Sequence, residues 1–153
     1  MIRFTRIEGA VESEALESLT VARDQLVLVV GPEHPWANGG APTPNDLPDS
    51  DWVLREPGSG TRSVFEQAVA AFGIDPRRLR IAMELPSNEA VRAAVEAGLG
   101  ATALSASVAA AGIENGLLRH VPFRLPERDF HVLRRRQHPS RVADALLALL
   151  AKV

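Results

Sequence analysis

The chain has 153 residues, of which 46% are hydrophobic and 24% charged, the profile of a soluble globular protein of one domain or two small lobes. It contains no cysteine, which excludes thiolate metal sites, thiol nucleophiles and disulfides. Folding at this length removes roughly two-thirds of the surface of the unfolded chain, so a core can form without such staples. The formal charge of −2 argues against a surface that is everywhere an electrostatic footprint for nucleic acid.

Of the 17 basic residues all but Lys152 are arginine. Together with the heavy alanine usage, this bias reads first as the base composition of the coding DNA and only second as anion recognition. No stretch approaches the ~18 to 20 uninterrupted apolar residues of a membrane span, and the amino terminus carries no basic-then-apolar leader. The expected location is the cytoplasm.

A weak strand is expected at Ile2 to Ile7. The first clear element is the apolar run Leu26-Val27-Leu28-Val29-Val30 after Gln25, closed by Gly31 and Pro32, which reads as a strand buried on both faces. Pro35, Pro42, Pro44, Pro48 and the pair Gly39-Gly40 make the next stretch a connector. Trp52 to Leu54 forms a short strand, followed by the loop Glu56-Pro57-Gly58-Ser59-Gly60-Thr61. Val64, Phe65, Ala68, Val69 and Phe72 then fall on one helical face, with a stop at Gly73.

Leu79, Ile81, Met83 and Leu85 alternate as in a half-buried strand. Pro86-Ser87-Asn88 starts a helix whose inner stripe is Ala90, Val91, Ala94 and Val95, ended by Gly98. Gly100 to Leu104 is a strand of small residues, and Ser105 caps an alanine-rich helix expected to stop at Gly112. Leu117 to Val121 and Phe130 to Leu133 read as strands. A last helix from Pro139-Ser140 buries Val142, Ala143, Leu146, Leu147, Leu149 and Leu150. Strand and helix alternate with short links, so the fold class is α/β with a parallel sheet covered by helices.

In such a sheet the starts Gly58-Ser59-Gly60-Thr61-Arg62, Ser87-Asn88 and Ser105 all follow the carboxyl ends of strands, the edge where open α/β sheets bind ligands. Each offers free backbone amides, hydroxyls and the positive end of a helix dipole, the ingredients of an anion or carboxylate site. Taken singly, Ser59 or Thr61, Ser87 and Ser105 are better explained as helix caps; their recurrence at one sheet edge is what favours a ligand site. The first loop lacks the lysine of a nucleotide-triphosphate loop, and its glycine spacing fails the dinucleotide pattern at Ser63. Arg62 either forks onto a ligand carboxylate or bonds Glu66, four residues on. Arg134-Arg135-Arg136 reads as a solvated strand end.

His34, His120, His131 and His138 show no metal-pair spacing, so no metal and no cofactor is expected. Ser59 and Ser105 sit in no nucleophile elbow and have no local base partner, so no catalytic residue is expected.

Several stretches, in their order and spacing, carry a likeness. They are Arg23 to Val30 with Pro32-Glu33-His34-Pro35, then Trp52-Val53-Leu54-Arg55-Glu56-Pro57-Gly58-Ser59-Gly60-Thr61-Arg62, then Glu84 to Val91, and Val95-Glu96-Ala97-Gly98-Leu99-Gly100. From about Ile7 to the carboxyl end the sequence resembles the effector-binding domain of LysR-type transcriptional regulators. The resemblance implies a type II periplasmic-binding-protein-like fold of two α/β lobes joined by crossing strands, with a small molecule in the cleft.

On this reading residues 1–35 are part of the first lobe with the first crossing strand, 36–127 the second lobe, and 128–153 the return strand and final helix. The implied ligand residues are Ser59, Gly60, Thr61, Arg62, Ser87 and Asn88, with Ser105 a weaker transfer. The implied partners are a small anionic or carboxylate effector and a further copy of the chain. DNA would be reached only through a helix-turn-helix absent from these residues, as is the opening of the first lobe. Two other readings compete with effector sensing: a self-associating interaction module with a vestigial cleft, and a hydrolase using Ser59 or Ser105.

Overall fold

A computed structural model of the chain describes residues 16–135 together with 145, 148 and 149. The chain divides into two compact units, one of Gln25–Pro126 and one of Met1–Asp24 with Glu127–Val153. The strand expected at Ile2 to Ile7 lies outside the described residues. Of the expected final helix only Ala145, Ala148 and Leu149 are described; all three are helical, and Leu149 is 65% exposed where a buried face was expected.

The larger unit is built from the carboxyl half of strand β1 (Leu16–Val30), β2 (Asp51–Arg55), helix α1 (Gly60–Ala71), β3 (Arg80–Leu85), α2 (Asn88–Glu96), β4 (Ala101–Ser105), α3 (Ala106–Glu114) and β5 (Arg119–Val121). The connector between β1 and β2 is two short 3-10 turns, Pro35–Asn38 and Pro44–Asp49. The strand order is β3-β2-β4-β1-β5. The pairs β2–β3 and β2–β4 are parallel, whereas β1 runs antiparallel to both β4 and β5, with Leu28 opposite Ala103 and Val121. The sheet is therefore mixed, not wholly parallel as the strand–helix alternation suggested, because β1 runs antiparallel to the two strands beside it in the larger unit.

Strand side chains alternate between faces, and that period of two builds two cores. Leu26, Leu28 and Val30 of β1, Trp52 and Leu54 of β2, and Ala101 and Ala103 of β4 pack with Val64, Phe65, Ala68 and Val69 of α1. Val29, Val53 and Leu104, on the opposite face, pack with Val91 and Val95 of α2 and Ala109 of α3. Trp52 is opposite Ala101 in register, so a large side chain sits beside a small one. The ring of Trp52 lies 4.7 Å from that of Phe65, and its Nε1 donates to the Leu47 carbonyl at 2.8 Å.

Two helix ends depart from expectation. Phe72, expected on the buried stripe of α1, follows its last residue and is 43% exposed, edge-on to Phe123. Gly112 does not stop α3 but lies inside it. A Cβ there would come within 2.8 Å of the Glu96 carboxylate and the Leu118 side chain, so the glycine serves close packing between α3 and its neighbours. The helix ends two residues later, before Gly116.

In the smaller unit β6 (Glu127–Arg135) pairs with β1. Arg128 meets Asp24 in an ion pair whose side chains are each 8% exposed, and Arg23 meets Asp129 at 3.2 Å. Residues 25–35, read from sequence with the first lobe, group with the larger unit because Leu26–Val30 pair with β4 and β5.

Candidate functional site

Strands β2, β3 and β4 point the same way, and each is followed directly by a helix, so the starts of α1, α2 and α3 stand at one end of the sheet. Their N-cap residues are Ser59, Ser87 and Ser105. Despite the shared position, the three hydroxyls have different surroundings.

The Ser87 hydroxyl accepts from the Ala90 amide at 3.1 Å, which is ordinary capping. Ser105 Oγ lies 2.8 Å from Ser107 Oγ and makes no cap bond. Ser59 also makes no side-chain cap bond, and its buried Oγ has no hydrogen-bond partner among the described residues. The loop reaches Ser59 through Gly58, whose φ of +88° lies in the left-handed region that glycine adopts without strain. Gly60 is the first residue of α1, and Thr61, on its first turn, is 2% exposed.

The charged residues around these starts are tied to one another. Arg62 Nε donates to Glu66 at 2.7 Å, and its Nη1 donates to Glu84 at 2.8 Å and to the Arg55 carbonyl at 3.0 Å. Of the two sequence readings of Arg62, the bond to Glu66 is the one present, and it also laces α1 to β2 and β3. Arg55 forks onto Glu56 with two bonds of 2.8 Å and donates to Asn88 Oδ1 at 2.9 Å, joining the end of β2 to the start of α2. This edge therefore offers hydroxyls and helix amides, while Arg55 and Arg62 each hold a carboxylate already.

Sequence reasoning singled out neither Arg55, Glu56 nor Glu84 as parts of the site. The adjacent Arg55-Glu56 pair just before the glycine loop was the available signal. Nothing local marks Arg55 and Asn88, 33 residues apart, as partners.

The Arg55 guanidinium, together with a backbone bond, holds the Glu56 carboxyl down to about 2, well below the usual carboxylate range. A carboxyl depressed on folding contributes stability above its unfolded value and loses it as pH falls toward the folded one. Stability is accordingly expected to decline between about pH 5 and pH 2, and Glu56→Gln to flatten part of that decline. Urea midpoints measured across this range check it; identical pH profiles for the two proteins would refute it.

A match to the LysR substrate binding domain family covers residues 2–153. This chain belongs to that family. An uncharacterised helix-turn-helix-type transcriptional regulator of Methanocaldococcus jannaschii is 35% identical over 114 residues, 74% of this chain and 38% of that protein. A probable RuBisCO transcriptional regulator of Cyanophora paradoxa is 37% identical over 115 residues, 73% of this chain and 36% of the relative. The LysR-type domain thus spans little more than a third of the length of these curated relatives.

Among solved structures, the regulatory domain of CcmR from Synechocystis PCC6803, in complex with 2-PG, superposes with a TM-score of 0.80 at 24% identity, over 95% of this chain and 70% of that one. The effector-binding domain of QuiR in complex with shikimate gives 0.71 at 20% identity, over 93% and 66%. The fold is the α/β, type II periplasmic-binding-like fold of LysR-type effector-binding domains. The family is one of transcription regulators and not of enzymes. The hydrolase reading falls with it; among the described residues, the histidine hydrogen-bonded to a serine side chain is His34, with Ser50, and neither stands at the helix starts. Among the described residues no helix is long and apolar enough to cross a membrane, and no group of side chains could hold a metal ion.

Proposed function

We propose that the chain senses a small anionic or carboxylate metabolite for a LysR-type transcription regulator, binding it at the helix starts of the larger unit. One observation carries this reading: Ser59 Oγ is buried at the start of α1 without a hydrogen-bond partner among the described residues. A buried hydroxyl left so costs about 1–3 kcal/mol, which an acceptor oxygen on the effector would relieve. The same oxygen would face the partial positive charge of the α1 amino end, about half an elementary charge. Thr61 and Ser105 stand at the same edge, while Asn88 and Arg62 hold its loops through Arg55 and Glu84. In this reading the regulator acts in the cytoplasm and touches DNA through a helix-turn-helix outside these residues.

The test is thermal protection of the full chain by small carboxylates and phosphorylated acids, with 2-PG and shikimate as first probes. At a hundredfold excess over Kd, a ligand that binds only the folded state stabilises by about 2.7 kcal/mol, here about 5–10 °C. Ser59→Ala combined with Thr61→Ala is expected to abolish the shift. No shift with any such acid, or the same shift in the double variant, would overturn the assignment.

Self-association is part of the same proposal. Strand β3 stands at the end of the sheet order, with Ala82 and Met83 exposed, and such an edge invites pairing with another chain. A second reading, in which the chain only associates and binds no effector, rests on that edge alone. A monodisperse monomer by light scattering would remove it.

A further inference from the structure

The helix-start edge holds more negative charge than positive. Among the described residues there, the guanidiniums of Arg55 and Arg62 stand against four carboxylates: Glu56 on Arg55, Glu66 and Glu84 on Arg62, and Glu89, whose charge also acts on Arg55. A further anion added to this set is repelled. An incoming acid therefore binds well only where it takes the place of a carboxylate already present.

The two guanidiniums differ in how readily a partner can be exchanged. Arg62, with its side chain 11% exposed, is laced by single bonds to Glu66, Glu84 and the Arg55 carbonyl, and no one molecule replaces all three. Arg55 instead presents a whole edge to one carboxylate, with Nε on Oε2 and Nη2 on Oε1 of Glu56, each at 2.8 Å. Its remaining Nη1 donates to Asn88 Oδ1 at 2.9 Å and fixes the guanidinium at the start of α2. A free carboxylate can make the same two bonds in the same place. Glu56 gives way at little cost, because its side chain is already 44% exposed and is hydrated on leaving, while Arg55, 17% exposed, passes from one partner to the next.

Glu56 and Ser59 are the two ends of one tight turn, in which the Ser59 amide donates to the Glu56 carbonyl at 3.1 Å and the Cα atoms lie within about 7 Å. The carboxylate that fills the fork and the buried hydroxyl without a partner among the described residues thus belong to the same four residues.

We propose that Arg55 is the anchor for the effector's acid group and that Glu56 occupies its fork until the effector takes it over. This rests on the effector reading above and adds a ligand class to it: an acid with one two-oxygen anionic group for Arg55 and a second acceptor for Ser59, as in a dicarboxylate or a phosphorylated acid. An amide of the same shape is rejected, since its NH2 would face the N–H donors of Arg55. Glu56 sets a threshold as well. Acids that pair with Arg55 no better than a glutamate side chain does stay out.

The test is calorimetric titration of the full chain with malonate and with phosphonoacetate, and with malonamide as the uncharged counterpart of the first. Glu56→Gln removes the competing charge and is expected to tighten both acids about fivefold. Malonamide is expected to give no binding heat with either protein. Arg55→Lys keeps the charge but has no fork, and is expected to weaken both acids about tenfold. In that background Glu56→Gln should gain less than about twofold. Glu114→Gln, the same loss of charge at the last residue of α3, is expected to leave the affinities unchanged. An unchanged affinity in Glu56→Gln, with binding still lost when Ser59 and Thr61 are both replaced by alanine, would overturn the exchange and leave the effector edge standing. A fivefold gain that persists with both alanines present would support the exchange and overturn the role of the hydroxyls. No binding of either acid by the wild type or by Glu56→Gln would overturn both.

Discussion

Trp52→Ala is expected to destabilise the protein by about 3–5 kcal/mol, the cost of emptying a fully packed aromatic site. The side chain is completely buried near the start of β2, against Phe65 on one side and Ala101 across the strand pair. Its loss also takes the indole N–H from the Leu47 carbonyl, which keeps only the longer bond from the Ser50 amide at 3.4 Å, adding about 1 kcal/mol. Against a total of about 5–15 kcal/mol for a domain, this is a large share of the stability. Urea unfolding followed by far-ultraviolet circular dichroism measures this. Trp52→Phe should recover much of the loss, since it keeps an aromatic ring against Phe65 while giving up the hydrogen bond and the volume of the second ring. A loss below about 1 kcal/mol for Trp52→Ala would mean that the core collapses around the gap.

The second large effect is a single methyl group. Gly100 has a φ of +145°, and a Cβ on it would lie 2.5 Å from the Asp51 carbonyl oxygen and 2.9 Å from its carbon. Both are backbone atoms at the start of β2, so nothing flexible can yield, and β4 must shift relative to β2. Strain and overpacking together are expected to cost about 2–4 kcal/mol for Gly100→Ala. Gly40→Ala is the matched control. That residue has no left-handed φ and has open space where the methyl would go, so its effect is expected within about 0.5 kcal/mol. Similar melting temperatures for the two variants would show that the β2–β4 contact is slack.

Much of this architecture was legible because period-two and helical spacings are written in the residue order. The run Leu26 to Val30, the α1 stripe of Val64, Phe65, Ala68 and Val69, and the α2 pair Val91 and Val95 all occupy the faces that their spacing assigns. Strand direction is not written there. A buried apolar run looks the same parallel or antiparallel, so the strand–helix alternation does not reveal that β1 runs against β4 and β5. Gly112 misled for a related reason: a glycine that ends a helix and one that admits a neighbour are the same letter.

At the candidate site, the alternation of strand and helix was enough to bring Ser59, Ser87 and Ser105 to one edge. It was not enough to separate them, since Ser87 caps and Ser59 does not. That difference arises from loop dihedrals: the backbone at Ser87 is fully extended, with φ −143°, whereas Ser59 sits at −66°. Likewise the Arg62–Glu66 bond was readable from a separation of four, but the link from Arg62 to Glu84 depends on how β3 lies beside β2.

The buried pair Asp24–Arg128 bears on the order in which the chain acquires its structure. Its members are 104 residues apart, and nearly everything between them is the larger unit. Closing a loop of that length in a disordered chain costs about 4 kcal/mol of entropy before any contact is made. The larger unit is continuous in sequence, so its contacts can form without the two outer segments, and once formed they hold Gln25 and Pro126 in place and remove most of that cost. The smaller unit, stitched from two distant segments, is then the last to assemble, and its two strands meet as the ends of an already folded insert.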